Sequence, residues 1–302
     1  MCGRFARKST QEVLAEWLGL ELEEMPWFAP TFNAAPQSIQ PVIRLNRDSG
    51  RRVAALMRWG LVPFWARSAK IGLSTINARA EKAATKPAFR TALKKRRCLV
   101  PADAYYEWAQ LGAKKSQSYV IALTSGEPIA FTGFWESWNG TGGSALETFA
   151  ILTTTANELL ATIHDRMPVI IERKDYGRWL DVDEKIALPT DLLHPYAANQ
   201  VYAWPVSDHV GNTQNNDAVN GQYTGRVILP DEFTFPWPES HKAYEWIDLP
   251  PYSGDAKTVR MVIRAIYPGS ADQITCVGKV MLRQWLKSRP NIKSGIDGHE
   301  LP

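Results

Sequence analysis

Between residues 39 and 206 the chain is a succession of short apolar stretches of strand length, separated by turn residues and interrupted by few helical segments. There is no regular strand–helix alternation and no glycine-rich turn leading from a strand into a helix. A doubly wound nucleotide-binding sheet and a P-loop fold are therefore excluded. The pattern predicts an α+β domain, β-rich, with a barrel-like sheet core and peripheral helices. Its clearest unit is a hairpin in which Pro41–Leu45 and Arg52–Trp59 flank Arg47-Asp48-Ser49-Gly50. Further strands are expected at 2–6, 98–101, 104–108, 118–124, 128–135, 147–154, Val169–Ile171 and Val201–Val206, with a hairpin turn at Asn139–Gly143.

The helices are short. Ser9 and Glu12 form a capping-box pattern ahead of a face made by Val13, Leu14, Trp17, Leu18 and Leu20. A second helix runs from Pro87 to Arg97 and closes on Lys94-Lys95-Arg96-Arg97, where positive charge suits the C-terminal dipole. Two more are expected at Ala156–Ile163 and Asp175–Leu180, and the Pro-rich stretch through Pro26, Pro30 and Pro36 reads as irregular. Composition changes after Gly221. We place one domain at 1–222 and a small extension at 225–302, with a strand-like Val259–Ile266 and an amphipathic Val277–Leu286, to which no chemistry can be assigned.

Cysteine usage narrows the chemistry. The chain has 3 Cys in 302 residues, Cys2, Cys98 and Cys276, which makes neither a disulfide framework nor a paired metal-ligand spacing. The 5 His show no ligand spacing either, so no metal or cofactor is expected. Without a signal peptide or an apolar run of ~18 residues, the chain is expected to be soluble and cytoplasmic, with reduced thiols and no membrane partner. A net charge of +4 permits a polyanionic partner, and 12 Trp supply rings beyond what a core needs.

Cys2 becomes chemically special if Met1 is removed. Its amine and thiol then sit on adjacent carbons, so the amine can form an imine with an aldehyde and the thiol can close a five-membered ring. An α-amine is ~10–15% neutral near pH 7, far more than a lysine. Glu107, in Tyr105-Tyr106-Glu107-Trp108, has the apolar surroundings that raise a carboxyl pKa and suit it to proton transfer. His164 and Asn77 are polar candidates beside it. Arg4, Arg79 and Arg166 have the planar guanidinium that grips phosphate, and Trp65 sits on an aromatic loop suited to stacking on a base.

Together these segments resemble the SOS response-associated peptidase (SRAP) family of abasic-site processing proteins. The resemblance is carried in order by Cys2-Gly3-Arg4-Phe5, Phe32-Asn33-Ala34-Ala35-Pro36, Trp59-Gly60-Leu61-Val62-Pro63, Asn77-Ala78-Arg79-Ala80-Glu81, Arg97-Cys98-Leu99-Val100-Pro101-Ala102, Tyr106-Glu107-Trp108, His164-Asp165-Arg166-Met167-Pro168 and Pro205-Val206-Ser207. It implies a monomeric protein that recognises abasic sites in single-stranded DNA and links to them through a thiazolidine on Cys2, with weak lyase chemistry from the same imine. The protein would be nucleoid-associated in a bacterium, or nuclear in a eukaryote. Asn77 would orient the opened sugar, Glu107 would move the proton at the imine, and His164 would act on the sugar oxygen. Arg4, Arg79 and Arg166 would hold phosphates and Trp65 would separate the strand at the lesion. Asn33, Pro36 and Thr153 would line the DNA groove. Two alternatives remain open at this point: a Cys2-dependent peptidase and a non-covalent single-strand-binding module.

Overall fold

The structure, a computed structural model, describes residues 2–112, 116–140, 145–183 and 185–216. The expected boundary at 222, the extension 225–302 and Cys276 lie outside the described residues, as does most of the expected turn at Asn139–Gly143. The strands are β1 (Arg4–Arg7), β2 (Thr31–Ala34), β3 (Ile39–Leu45), β4 (Arg52–Trp59), β5 (Asn77–Arg79), β6 (Arg97–Ala102), β7 (Ala104–Gln110), β8 (Ser116–Leu123), β9 (Ile129–Asn139), β10 (Ala145–Thr155), β11 (Arg166–Pro168) and β12 (Val201–Val206). The helices are α1 (Gln11–Leu18), α2 (Ala80–Ala83), α3 (Arg90–Lys95) and α4 (Tyr176–Leu180).

Strands β10, β4, β3, β6 and β9 pair in that order, and β9 returns to β10, so five strands close into a barrel. Closure removes the free edges that an open sheet would expose. Strands β5 and β11 extend β10 beyond the ring. An antiparallel sheet, ordered β12-β8-β7-β1-β2, packs beside the barrel. The expected α+β, β-rich architecture is thus observed.

Side chains of the barrel strands alternate between two cores, as the period of 2 requires. On β6, Leu99 joins the cluster made with Leu14 and Leu18 of α1, Leu93 of α3 and Trp179 of α4, whereas Cys98 and Val100 join the cluster with Cys2, Phe5 and Tyr105. On β10, Ala150 and Leu152 face the first, and Phe149 and Ile151 the second. The helices therefore cover one face of the barrel strands, and the second sheet lies against the other.

Several expectations are corrected. Thr10, not Ser9, caps α1, because Ser9 is diverted to the Asp103 carboxylate, which accepts from the backbone N–H of Lys8 and Ser9 and from the Ser9 hydroxyl. Val13 is 47% exposed and does not share the buried face of Leu14, Trp17 and Leu18. The helix expected at 156–163 shrinks to a single 3-10 turn at Leu160–Thr162. There the Asn157 side chain accepts from the Leu160 N–H in the manner of a cap, while the Ala156 N–H is committed to the Asp165 carbonyl. The helix expected from Pro87 covers only Arg90–Lys95, since buried Arg97 opens β6 and donates to the Trp179 carbonyl. Strand β11 falls three residues before the expected Val169–Ile171. Val169 still bonds the Leu152 carbonyl of β10 but turns toward β9, where Thr132 N–H donates to it and a lone bridge joins Phe131 to Ile170. Strands β2 and β5 were not expected at all.

Candidate active site around Cys2

Cys2 lies one residue, Gly3, ahead of β1, and its side chain is fully buried in the core between barrel and sheet. Strand pairing brings the other groups to it. β1 runs against β7 with Arg4 opposite Tyr106, which sets Glu107 beside the start of β1. β5 runs parallel to β10 with Asn77 opposite Ile151, and the Asn77 amide donates to the Cys2 carbonyl oxygen at 2.6 Å. The Asn77 carbonyl oxygen Oδ1 is buried and accepts no hydrogen bond. It is an acceptor in want of a donor, which a hydroxyl of a bound molecule would satisfy.

Burial sets the electrostatics. Glu107 is 4% exposed, and desolvation pushes its carboxyl above the ordinary range. Burial pushes the Cys2 thiol strongly upward, and the Glu107 carboxylate adds to the rise. The site therefore favours the neutral thiol of Cys2 and raises the Glu107 carboxyl, which suits that carboxyl to holding and passing a proton.

His164 follows the 160–162 turn, where its backbone N–H bonds to Leu160. Its Nδ1 accepts from the Arg166 backbone N–H at 3.0 Å and lies 2.9 Å from the exposed Asp165 carboxylate. One nitrogen cannot serve both. The Arg166 contact needs a lone pair at Nδ1 and leaves the proton on Nε2, whereas a proton at Nδ1 exchanges the amide for Asp165.

The expected DNA-binding residues divide into two groups. Arg79, across from Thr153, is exposed, and Trp65 is 52% exposed beside exposed Phe64. Pro36 is half-buried in the turn after β2, next to Gln37, whose φ of 72° holds the turn in a left-handed conformation. The rest are tied to the protein itself. Arg166, with a side chain 8% exposed, makes a bidentate pair with Glu81 at 2.7 and 3.0 Å and donates to the Thr153 carbonyl. Thr153 is buried against Ala78. Arg4 donates to Asn33 and to the carbonyls of Val210 and Gly211. The Asn33 amide in turn bonds the carbonyls of Val210, Asn212 and Asn215. Arg4 and Asn33 thus pin residues 210–215 across β1 and β2.

Three participants were missed from sequence. Glu81 closes the expected Asn77–Glu81 segment and could have been paired with an arginine. Asn216 accepts from Thr31 and from the Phe32 and Asn33 backbone across more than 180 positions, which no local signal announces. Tyr105 shares a face of β7 with Glu107, and period-2 reading of Tyr105-Tyr106-Glu107 would have found it. Among the described residues no group of three or more His, Cys, Asp or Glu could hold a metal, and no helix is long and apolar enough to cross a membrane.

Comparison with known proteins agrees with this layout. Residues 1–213 match the family model described as SOS response associated peptidase (SRAP). The chain is 39% identical over 221 residues to abasic site processing protein YoqW of Bacillus subtilis, covering 72% of this chain and 96% of that protein. It is 30% identical over 263 residues to abasic site processing protein HMCES of Mus musculus, covering 72% and 74% respectively. A crystal structure of a Bacteroides thetaiotaomicron protein superimposes with a TM-score of 0.61 at 25% identity, covering 70% of this chain and 95% of that one. By its sequence across the barrel and the second sheet, and by its fold, this chain belongs to the SRAP family.

Proposed function

We propose that the protein captures abasic sites in single-stranded DNA through Cys2 once Met1 has been removed. The freed α-amine attacks the open-chain aldehyde of the base-less sugar and loses water to form an imine. The Cys2 sulfur then adds to the imine carbon, its proton passes to the nitrogen, and a thiazolidine joins protein to strand. Glu107 carries protons in both steps, the open acceptor on Asn77 takes a sugar hydroxyl, and His164 acts at the sugar oxygen during ring opening. Arg79 and the Phe64–Trp65 loop meet the DNA directly. Arg4 and Arg166 shape the groove walls and their backbone carbonyls. The adduct would shield the lesion during the DNA damage response, and β-elimination from the imine would give weak lyase activity that ring closure suppresses.

One observation carries this reading above all. Asn77 and Glu107, from different sheets, converge on the residue whose amine and thiol become a 1,2-aminothiol. The relatives' names add support. A peptidase mechanism would call for a lowered Cys2 pKa, and the burial around the thiol acts in the opposite direction. The test is to incubate Met1-processed protein with single-stranded DNA carrying one abasic site and to separate the products on a denaturing gel. The wild type should yield a heat-stable adduct that Cys2→Ala and Cys2→Ser lack. An equally abundant heat-stable adduct with Cys2→Ala would overturn the thiazolidine.

A further inference from the structure

Tyr105 carries a polar group that the mechanism above leaves unused. Its side chain is fully buried, and its hydroxyl has no hydrogen-bond partner. It lies in the same buried cluster as Cys2. Two ring neighbours there offer nothing to bond: Phe5 stands opposite it in the β1–β7 register, and Phe131 meets it edge-on at 5.8 Å. Glu107, two residues along β7, projects from the same face at about 7 Å along the strand. A buried phenol left unpaired in such surroundings is costly, and such groups cluster where a ligand or a reacting atom completes them.

We propose that the Tyr105 hydroxyl is a positioning residue for the Cys2 sulfur, donating a hydrogen bond to it while its proton departs during ring closure. The proposal rests on the thiazolidine reading. In that step the sulfur lone pair forms the C–S bond, the imine π pair moves to nitrogen, and the S–H proton reaches that nitrogen by way of Glu107. Atoms and charge balance with no further reactant. The phenol keeps its own proton throughout, since burial holds its ionisation far above the working range. A hydrogen bond donated to sulfur is worth most when the sulfur carries charge, so Tyr105 would favour the transition state over the resting thiol. The titratable and charged groups around this cluster are Glu107 on β7, with His164 beyond the 160–162 turn acting on it, Cys98 on β6, with Arg44 on β3 acting on it, Tyr119 and Tyr196 packed against it, and the α-amine of processed Cys2.

The test compares Met1-processed wild type with Tyr105→Phe, which keeps the ring and removes only the hydroxyl. Iodoacetamide labelling of the Cys2 and Cys98 peptides is followed by mass spectrometry across pH without DNA, and crosslinking to abasic single-stranded DNA is timed separately. Loss of the donor should move the Cys2 labelling profile upward by about one pH unit and slow crosslinking about 10-fold, with Cys98 labelling unchanged. Superimposable Cys2 profiles would overturn the proposal, as would a parallel rise in Cys98 labelling, which marks a loosened core. A wild type that labels normally yet forms no adduct would instead overturn the thiazolidine reading, a result distinct from either.

Discussion

The pair between Arg166 and Glu81 is the most exacting place to test whether an arginine of this site is structural. Glu81→Ala removes two charge-assisted bonds, at 2.7 and 3.0 Å, from a guanidinium whose side chain is 8% exposed. Removing one partner of a fully buried pair costs about 3–5 kcal/mol. Glu81, however, is 48% exposed on its side chain, so water can replace part of what is lost. The remaining bond to the Thr153 carbonyl further limits the damage. We therefore expect about 2 kcal/mol, a drop of roughly 4–8 °C in Tm for a domain of this size. The sign with pH is fixed as well. Arg166 holds the Glu81 carboxyl below its ordinary value, so this stabilisation is fully present above the unfolded pKa of about 4.3 and is lost as pH falls through the lowered folded value. Thermal unfolding of wild type and Glu81→Ala at pH 7 and pH 3 is the assay, and the difference in Tm should shrink at the lower pH. A Tm unchanged at pH 7, or a difference that grows on acidification, would refute the clamp. Because the Arg166 backbone N–H orients His164, the variant should also slow adduct formation with abasic DNA.

Three other outcomes follow from the geometry. Glu107 has the opposite linkage: burial raises its carboxyl, so its own contribution to stability is greatest below the unfolded pKa of about 4.3 and declines as pH rises toward the raised folded value. Glu107→Gln should flatten that decline above the unfolded pKa in thermal melts, and melting temperatures that fall in parallel with wild type would contradict it. A Cβ at Gly60, where φ is +123°, would meet the Gly72 carbonyl at 2.3 Å, whereas one at Gly126 meets nothing. Gly60→Ala should therefore cost upwards of about 3 kcal/mol by denaturant titration and Gly126→Ala about 1 kcal/mol. Arg4→Ala should speed hydrogen exchange of the 208–216 amides at least several-fold without altering exchange in the barrel, since two Arg4 bonds hold the Val210 and Gly211 carbonyls to β1 and a third orients Asn33, which bonds the same segment. Unchanged exchange there would show the tether to be dispensable.

Sequence patterning by itself determined the β-rich class, the main barrel strands and the family. Strands such as β3, β4, β6 and β7 are written as short apolar runs of strand length bounded by turn residues, and the family's motifs are short and contiguous. The polar candidates Asn77, Glu107 and His164 stood out for the same reason: each is embedded in a local apolar setting. What tertiary structure decided is which of these groups meet, and how. The Asn77 bond to Cys2 spans 75 positions and exists only because β5 adds to β10 while β1 adds to β7. Arg79 and Arg166 looked alike in sequence, yet one is exposed and the other is locked to Glu81. A guanidinium's partner is chosen by whatever carboxylate or carbonyl the folded chain brings within about 3 Å, and no local pattern encodes that distance. The short elements fared worst. β2, β5 and β11 are three or four residues long, too brief for a period to show. They form because the neighbouring strand offers unpaired backbone groups that must be satisfied.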